Sequence, residues 1–293
     1  MRCFFPVTVW LTVDGGVSFV ERGSNLLREI SIRCGRCVGC RLHRVNSWTV
    51  RCVHEAKMHP VNSFVTLTYD SGNLPTHGSL HYPDFQLFMK RLRKKVGPVR
   101  FFMCGEYGEA LSRPHYHALL FGVSFGDAVV HNSVYSKSPI YRSETLSRLW
   151  PHGHSSIGEV NSKTAAYCAG YVMKKVTGDL AEDHYTRLIP STGELVKVVP
   201  EFARMSLKPG LGASWFAKYG REVANFDNVV IDGKEMPAPR YYDSLMDRLF
   251  PAESDDNKQA RILKAINAPE GPSLDSRREC AEARVRTYAR SLS

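Results

Sequence analysis

Two histidines stand one residue apart in the stretch Arg113-Pro114-His115-Tyr116-His117-Ala118-Leu119-Leu120-Phe121. On a β-strand, side chains two residues apart share a face, so His115 and His117 would present two imidazoles side by side. Such a pair is ready to ligate a divalent ion, which needs at least one further protein ligand, a carboxylate by preference for a hard ion. Glu106 stands at the far end of the short loop Glu106 to Arg113. If the segments on either side of that loop pair as a hairpin, its carboxylate comes within reach of both rings. An isolated His-x-His is equally two ordinary histidines on a half-buried strand, so a second feature has to support the metal reading.

That feature is the segment from Asn161 to Val176. Tyr167 and Tyr171 are four residues apart and so stack on one face of a helix, with Lys174 and Lys175 following within a turn. Two phenols beside a basic pair suit attack on a phosphodiester. A phenolate is a nucleophile, a bound metal polarises the scissile phosphate, and lysine steadies phosphate charge. The competing reading is a helix that packs aromatic rings on a sheet and keeps its lysines at the end where the helix dipole favours them.

A third cluster is Cys34, Cys37 and Cys40, spaced C-x2-C-x2-C. That spacing fits tetrahedral thiolate coordination of zinc if a fourth ligand arrives, with Cys3, His43, Cys52 and His54 as candidates. An iron–sulfur cluster and three incidental thiols are the alternatives. Of the eight cysteines, four lie between positions 34 and 52. A disulfide framework would suit a short secreted chain, whereas here metal binding in a reducing cytosol is expected. Pro151-His152-Gly153-His154 is a second His-x-His. Glycine between the histidines weakens a strand and no carboxylate hairpin precedes it, so it reads as a loop without a metal.

These residues need elements to hold them. An extended stretch from Cys3 to Val13 turns at Asp14-Gly15-Gly16. A helix is predicted from Arg41 to Met58, with Leu42, Val45, Trp48, Cys52 and Ala56 on one stripe and Pro60 as its limit. Phe64 to Tyr69 reads as a strand. Asp84 reads as the N-cap of a helix running through Val96, which buries Phe85, Phe88 and Leu92 and ends at Gly97-Pro98. Strands follow at Val99–Gly105 and Pro114–Gly122, then a helix from Ser143 to Trp150, a strand around Ser155–Val160 and the tyrosine helix. Leu188 to Val199 resembles a hairpin around Ser191-Thr192-Gly193, and Asp255 to Ser293 a charged helical tail. Strands mixed irregularly with helices imply an α+β fold on an antiparallel sheet. The expected segments are residues 1–60 (N-terminal strand, cysteine-rich turn and basic helix), 61–178 (core), 179–250 (extension of the core) and 251–293 (tail).

Composition bounds the partners. The chain has 293 residues, 43% hydrophobic and 23% charged, which excludes wholesale disorder. Thirty-nine Lys and Arg against twenty-nine Asp and Glu leave a net charge of +10, an excess that attracts polyanions, nucleic acid first among them. Arg41, Arg44 and Arg51 on the first helix, Lys90, Arg91, Lys94 and Lys95 on the second, and Arg113 beside the histidines are the candidate DNA contacts. No run approaches the ~18 apolar residues of a membrane span, and no small-residue cleavage site follows the apolar start, so neither a membrane association nor a cleaved signal peptide is expected.

Four blocks resemble the rolling-circle replication initiators of the HUH endonuclease superfamily, in particular those of small single-stranded DNA microphages of the gokushovirus kind. They are Phe64 to Tyr69, Gly105-Glu106-Tyr107-Gly108 with Arg113 to His117, Tyr167 to Lys175, and Ala203 to Gly212. The resemblance implies a five-stranded antiparallel sheet with flanking helices, and Mg²⁺ or Mn²⁺ held by Glu106, His115 and His117. It implies a tyrosine that nicks single-stranded origin DNA, keeps a 5′-phosphotyrosyl link and frees a 3′-OH for a host polymerase. Tyr171, at the more common Tyr-x-x-Lys position, is the first choice of nucleophile and Tyr167 the second, with Lys174 and Lys175 beside them. An early cysteine followed by a proline, also seen in these phage proteins, favours Cys3 as the fourth ligand of a structural zinc. No Walker-type motif is present, so unwinding is expected to fall to a host helicase in the bacterial cytoplasm. A related transposase or relaxase, or a zinc-stabilised single-strand DNA-binding protein without catalysis, are the other readings.

Overall fold

The computed structural model describes residues 3–23, 25–108, 111–131, 139–176, 178–189, 192–267 and 271–292, without the side chains of residues 172–174 and 286–292. The chain forms two compact units, residues 1–44 with 262–293, and residues 45–261.

In the first unit β1 (Val7–Thr12) is the middle strand of a three-stranded antiparallel sheet, between β2 (Val17–Ser18) and β3 (Leu26–Ile32). The turn falls at Asp14-Gly15-Gly16 as expected, with the Gly15 amide donating to the Thr12 carbonyl. The helix α1 (Val38–Ala56) begins here and continues into the second unit. Cys40 therefore lies inside its first turn and not ahead of it as the sequence suggested.

The second unit is built on one antiparallel sheet. Its strands are β4 (Asn62–Tyr69), β5 (Arg100–Tyr107), β6 (Pro114–Phe121), β7 (Val129–Val130), β8 (Tyr141–Arg142), β9 (Gly153–Gly158) and, after the short pair β10 (Thr186–Leu188) and β11 (Leu195–Lys197), β12 (Phe202–Met205). The order across the sheet is β12-β5-β6-β4-β9-β8-β7. Five strands of four to eight residues make the expected sheet, and the two-residue β8 and β7 extend it beyond β9.

Alternation assigns the faces. Val65, Leu67 and Tyr69 of β4 and Tyr116, Ala118 and Leu120 of β6 point to one side, where α2 (Tyr82–Val96) and α3 (Glu144–Leu149) cover them with Phe85, Phe88, Leu92, Leu146 and Leu149. Each such fully buried Leu or Phe contributes about 1.5–3 kcal/mol. The other face is covered over part of its area by α1 and α4 (Ser162–Lys174), whose Cys52, Ala165, Cys168 and Ala169 pack on Phe102, Cys104, Leu119 and Phe121. Cover on both faces explains why β6 is buried along nearly its whole length. A third cluster joins Val50 of α1 to α6 (Ala213–Phe226), the hairpin β13 (Asn228–Ile231)–β14 (Lys234–Pro237) and α7 (Arg240–Leu249). The pair β10–β11 is the hairpin expected at 188–199, though Ser191 of its turn lies outside the described residues, and α5 (Leu180–Tyr185) leads into it. The tail is α8 (Pro251–Ile266) and α9 (Leu274–Leu292).

Two local expectations are corrected. Asp84 is not the N-cap of α2: the helix starts at Tyr82-Pro83 after His81, because proline is tolerated in a first turn. Asp84 instead accepts a hydrogen bond from the Tyr69 hydroxyl at 2.7 Å. The segment at Pro151–His154 is not a loop throughout, since Gly153 and His154 open β9. Gly153 has φ +144°, and a Cβ there would fall 2.3 Å from the Asp70 amide nitrogen, so glycine is what lets the strand pass.

Candidate active site

Hairpin register brings the carboxylate to the imidazoles. In the β5–β6 ladder Glu106 faces His115 and Cys104 faces His117, so all four point to the α4 side of the sheet. Glu106 Oε1 lies 2.7 Å from His115 Nε2 and 2.9 Å from His117 Nε2. The outer nitrogens are fixed as well, His115 Nδ1 at 3.0 Å from the Arg113 carbonyl and His117 Nδ1 at 2.9 Å from Thr66 Oγ1. A carbonyl can only accept, so His115 carries its hydrogen on Nδ1 and turns the Nε2 lone pair toward Glu106. Two acceptors 2.7 Å apart need a second ring proton or a cation between them. The donor chemistry therefore fits a divalent ion: two imidazole nitrogens and a carboxylate oxygen mutually within 4.8 Å. Burial works against the charge of Glu106, which is 2% exposed, yet the two imidazoles outweigh it and hold the carboxyl below its usual range.

The tyrosine helix is aimed at the same spot. The Asn161 side chain caps α4 by accepting from the Lys163 and Thr164 amides, and Thr164 Oγ1 accepts from the Asn161 amide in return. One turn apart, Tyr167 meets the His117 ring edge-on at 5.0 Å between centroids, and Tyr171 stacks on it at 5.4 Å. The Tyr167 hydroxyl is 3.5 Å from His117 Nε2. Tyr167 is half-buried and Tyr171 buried. Both phenols are held well above the ordinary tyrosine range, first by burial, with the Glu106 carboxylate adding to it. A cation at the centre reverses the sign of that local field and favours phenolate. Lys175 caps α4 and is exposed, while the Lys174 side chain lies outside the described residues.

Sequence reasoning missed Thr66 and Phe64, which hold His117 by a hydrogen bond and by stacking at 5.6 Å. The period-2 alternation of β4 opposite β6 was the signal that could have found them. It also missed that Thr68 pairs with both His115 and His154, which carries a polar strip across the same face onto β9.

The basic candidates divide. Arg51 is not a DNA contact: its guanidinium is sandwiched at 4.1 and 4.2 Å between the Trp48 and Tyr241 rings, and Nε donates to the Leu211 carbonyl. Lys90, Arg91, Lys94 and Lys95 ride on α2, across the sheet from Glu106, and Arg91 Nε donates to the Leu149 carbonyl. Arg113, two residues from His115, donates to the Tyr69 carbonyl and to Ser71 Oγ. Arg41 and Arg44 belong to the first unit, as do Cys3, Cys34, Cys37 and Cys40, whose sulfurs gather within 4.8 Å of one another. Cys52 and His54 are buried elsewhere, in the clusters of the second unit, and neither joins these thiols. No helix among the described residues is long and apolar enough to cross a membrane.

An α+β unit with His-Tyr-His on a central antiparallel strand, and a tyrosine helix over it, is the fold of the HUH replication proteins. The family model of the phage replication-associated protein ORF2 matches residues 62–176, which run from β4 past the end of α4. The chain is 31% identical to replication-associated protein VP4 of Bdellovibrio phage phiMH2K, over 83% of this chain and 76% of that one. It is 32% identical to replication-associated protein ORF2 of Spiroplasma virus 4 (80% and 73%), and 27% identical to replication-associated protein ORF4 of Chlamydia phage 1 (76% and 55%). The chain belongs to this family of phage replication-associated proteins. No solved structure matches it significantly.

Proposed function

We propose that this protein initiates rolling-circle replication by nicking and rejoining single-stranded origin DNA through a tyrosine. The observation that carries the reading is the Tyr167 hydroxyl 3.5 Å from His117 Nε2, the nitrogen that also faces Glu106. Glu106, His115 and His117 would hold Mg²⁺ or Mn²⁺, whose chemistry is to neutralise charge on the scissile phosphate. The residues of the chain do the rest. The phenol oxygen of Tyr167 forms a bond to phosphorus as the bond to the 3′ oxygen breaks. The phenolic proton leaves to water, the 3′ oxygen takes one up, and the 5′ end stays on the protein. Tyr167 acts first because its hydroxyl is nearer the metal-facing nitrogen and its ring more accessible. Tyr171, one turn on, takes the second cleavage, and attack by the freed 3′-OH on the phosphotyrosine closes the circle. Lys175 is placed to meet phosphate charge, and a host polymerase and helicase would extend and unwind.

The test is incubation with labelled single-stranded origin DNA and Mn²⁺, followed by denaturing electrophoresis. A conjugate that survives detergent is expected. Tyr167→Phe removes it, and Tyr171→Phe keeps the first conjugate but yields no joined product. If Tyr171→Phe alone abolishes the first conjugate, the order reverses; if no conjugate forms at any metal concentration, the chain is a binding protein without this chemistry.

A further inference from the structure

The four cysteines of the first unit take no part in the centre described above. Cys3 Sγ lies 3.5 Å from Cys34 Sγ and 3.9 Å from Cys37 Sγ, Cys34 Sγ lies 4.0 Å from Cys40 Sγ, and all four sulfurs are mutually within 4.8 Å. These are not disulfides, whose sulfurs sit about 2 Å apart, and all four residues are free thiols. Four points that are all near neighbours are the corners of a tetrahedron. A central ion with metal–sulfur bonds of about 2.3 Å gives an edge of about 3.8 Å, the middle of the observed spacings. Thiolates around a polynuclear iron–sulfur cluster bind different irons and stand further apart, so the spacing fits a single ion.

The backbone is arranged for thiolates. The Cys34 amide points at Cys3 Sγ at 3.3 Å, the Cys37 amide at Cys34 Sγ at 3.4 Å, and the Phe4 amide at Cys37 Sγ at 3.4 Å. Donors aimed at sulfur stabilise its negative charge. Gly35, with φ +73°, makes the tight turn that brings the Cys37 amide back over Cys34. Cys40 is buried and the other three half-buried, and four protein donors leave no open position, the mark of a structural rather than a catalytic ion.

The rest of the unit shows why an ion is needed. Among its described residues, the buried apolar side chains besides Cys40 are Phe4, Val9 and Ala281, while Phe5, Val13, Phe19, Val20 and Leu27 of the sheet region are exposed. So small a core does not hold a fold by itself, and a metal site is the usual substitute. We propose that Cys3, Cys34, Cys37 and Cys40 bind one zinc ion that clamps the segment before β1 to the first turn of α1, and that folding of this unit is coupled to the metal. Zinc is favoured over a single iron because a closed tetrathiolate site with no redox partner uses only its geometry.

Elemental analysis of the purified full chain reads this directly. One zinc per chain is expected, retained in Tyr167→Phe and Glu106→Gln, which separates this site from the nicking centre. Cys3→Ser and Cys37→Ser lose it, whereas Cys280→Ser, at an exposed position, keeps it. Should the cysteine variants fail to fold, the unaltered chain loaded with Co²⁺ decides: it shows the intense visible bands and thiolate charge transfer of a tetrahedral tetrathiolate. A chain without stoichiometric zinc, whose four thiols alkylate freely and give no such spectrum, overturns the proposal. Bound iron with acid-labile sulfide overturns it equally.

Discussion

His117 touches Glu106, Thr66, Phe64 and both tyrosines, which makes it the hub of the centre and a poor residue to delete. At 5% exposure, its replacement by alanine opens a cavity as well as removing a ligand. Glu106→Gln is the sharper probe, because it keeps the shape and removes the charge. We expect it to weaken Mn²⁺ binding, read by titration calorimetry, at least tenfold, with the melting temperature little changed; affinity equal to the parent would remove Glu106 from the ligand set. Metal binding also requires unprotonated imidazoles. Affinity in the parent should therefore be full above about pH 6.5 and fall as pH drops below it, where protons compete for Nε2.

At the scale of elements, α1 carries more of the architecture than its basic residues suggested. Glu55, 1% exposed, accepts from Arg100 and from the Gly212 amide at 2.7 Å, which ties α1 to β5 and to the start of α6. His54 stacks on Trp215 at 3.5 Å and pairs with the Tyr242 hydroxyl at 2.9 Å. Burial pushes its imidazole down to about 3. The unfolded chain binds that proton near pH 6.5 and the folded one does not, so the contribution is present above pH 6.5 and lost as pH falls toward 3. Between pH 7 and pH 5 the loss is about 2 kcal/mol. Urea unfolding of His54→Phe should show a pH 7-to-5 loss smaller by that amount, and an unchanged loss would mean that His54 is protonated in the fold. The strands and the tyrosine helix were legible in the sequence because alternation and a four-residue spacing are local signals. The α2 start was not, since Asp84 looks like a cap and its actual role depends on Tyr69, which is distant in sequence. Gly153 misled in the same way: its conformation is set by the neighbouring backbone at Asp70, which local propensity does not see.

For the whole molecule the question is where the +10 charge lies. Lys90, Lys94 and Lys95 are exposed on α2, with the thickness of the sheet between them and the metal-ligating side chains. At physiological salt, charges separated by more than about 10 Å are largely screened. The triple change of these lysines to Gln is expected to leave conjugate formation on a short oligonucleotide within about twofold of the parent, as exposed charges beyond the screening length contribute little. A tenfold loss would place the DNA path over α2. By itself the sequence determined the chemistry available: a His-x-His strand beside a carboxylate hairpin, a Tyr-x3-Tyr helix, and a cysteine triplet, because each depends on spacing along one element. Tertiary structure alone decided which groups meet, since face, register and burial arise between elements. It turned the tyrosines onto His117, sent the α2 lysines to the far side of the sheet, closed Arg51 between two rings, and brought Cys3 across thirty-one positions to Cys34.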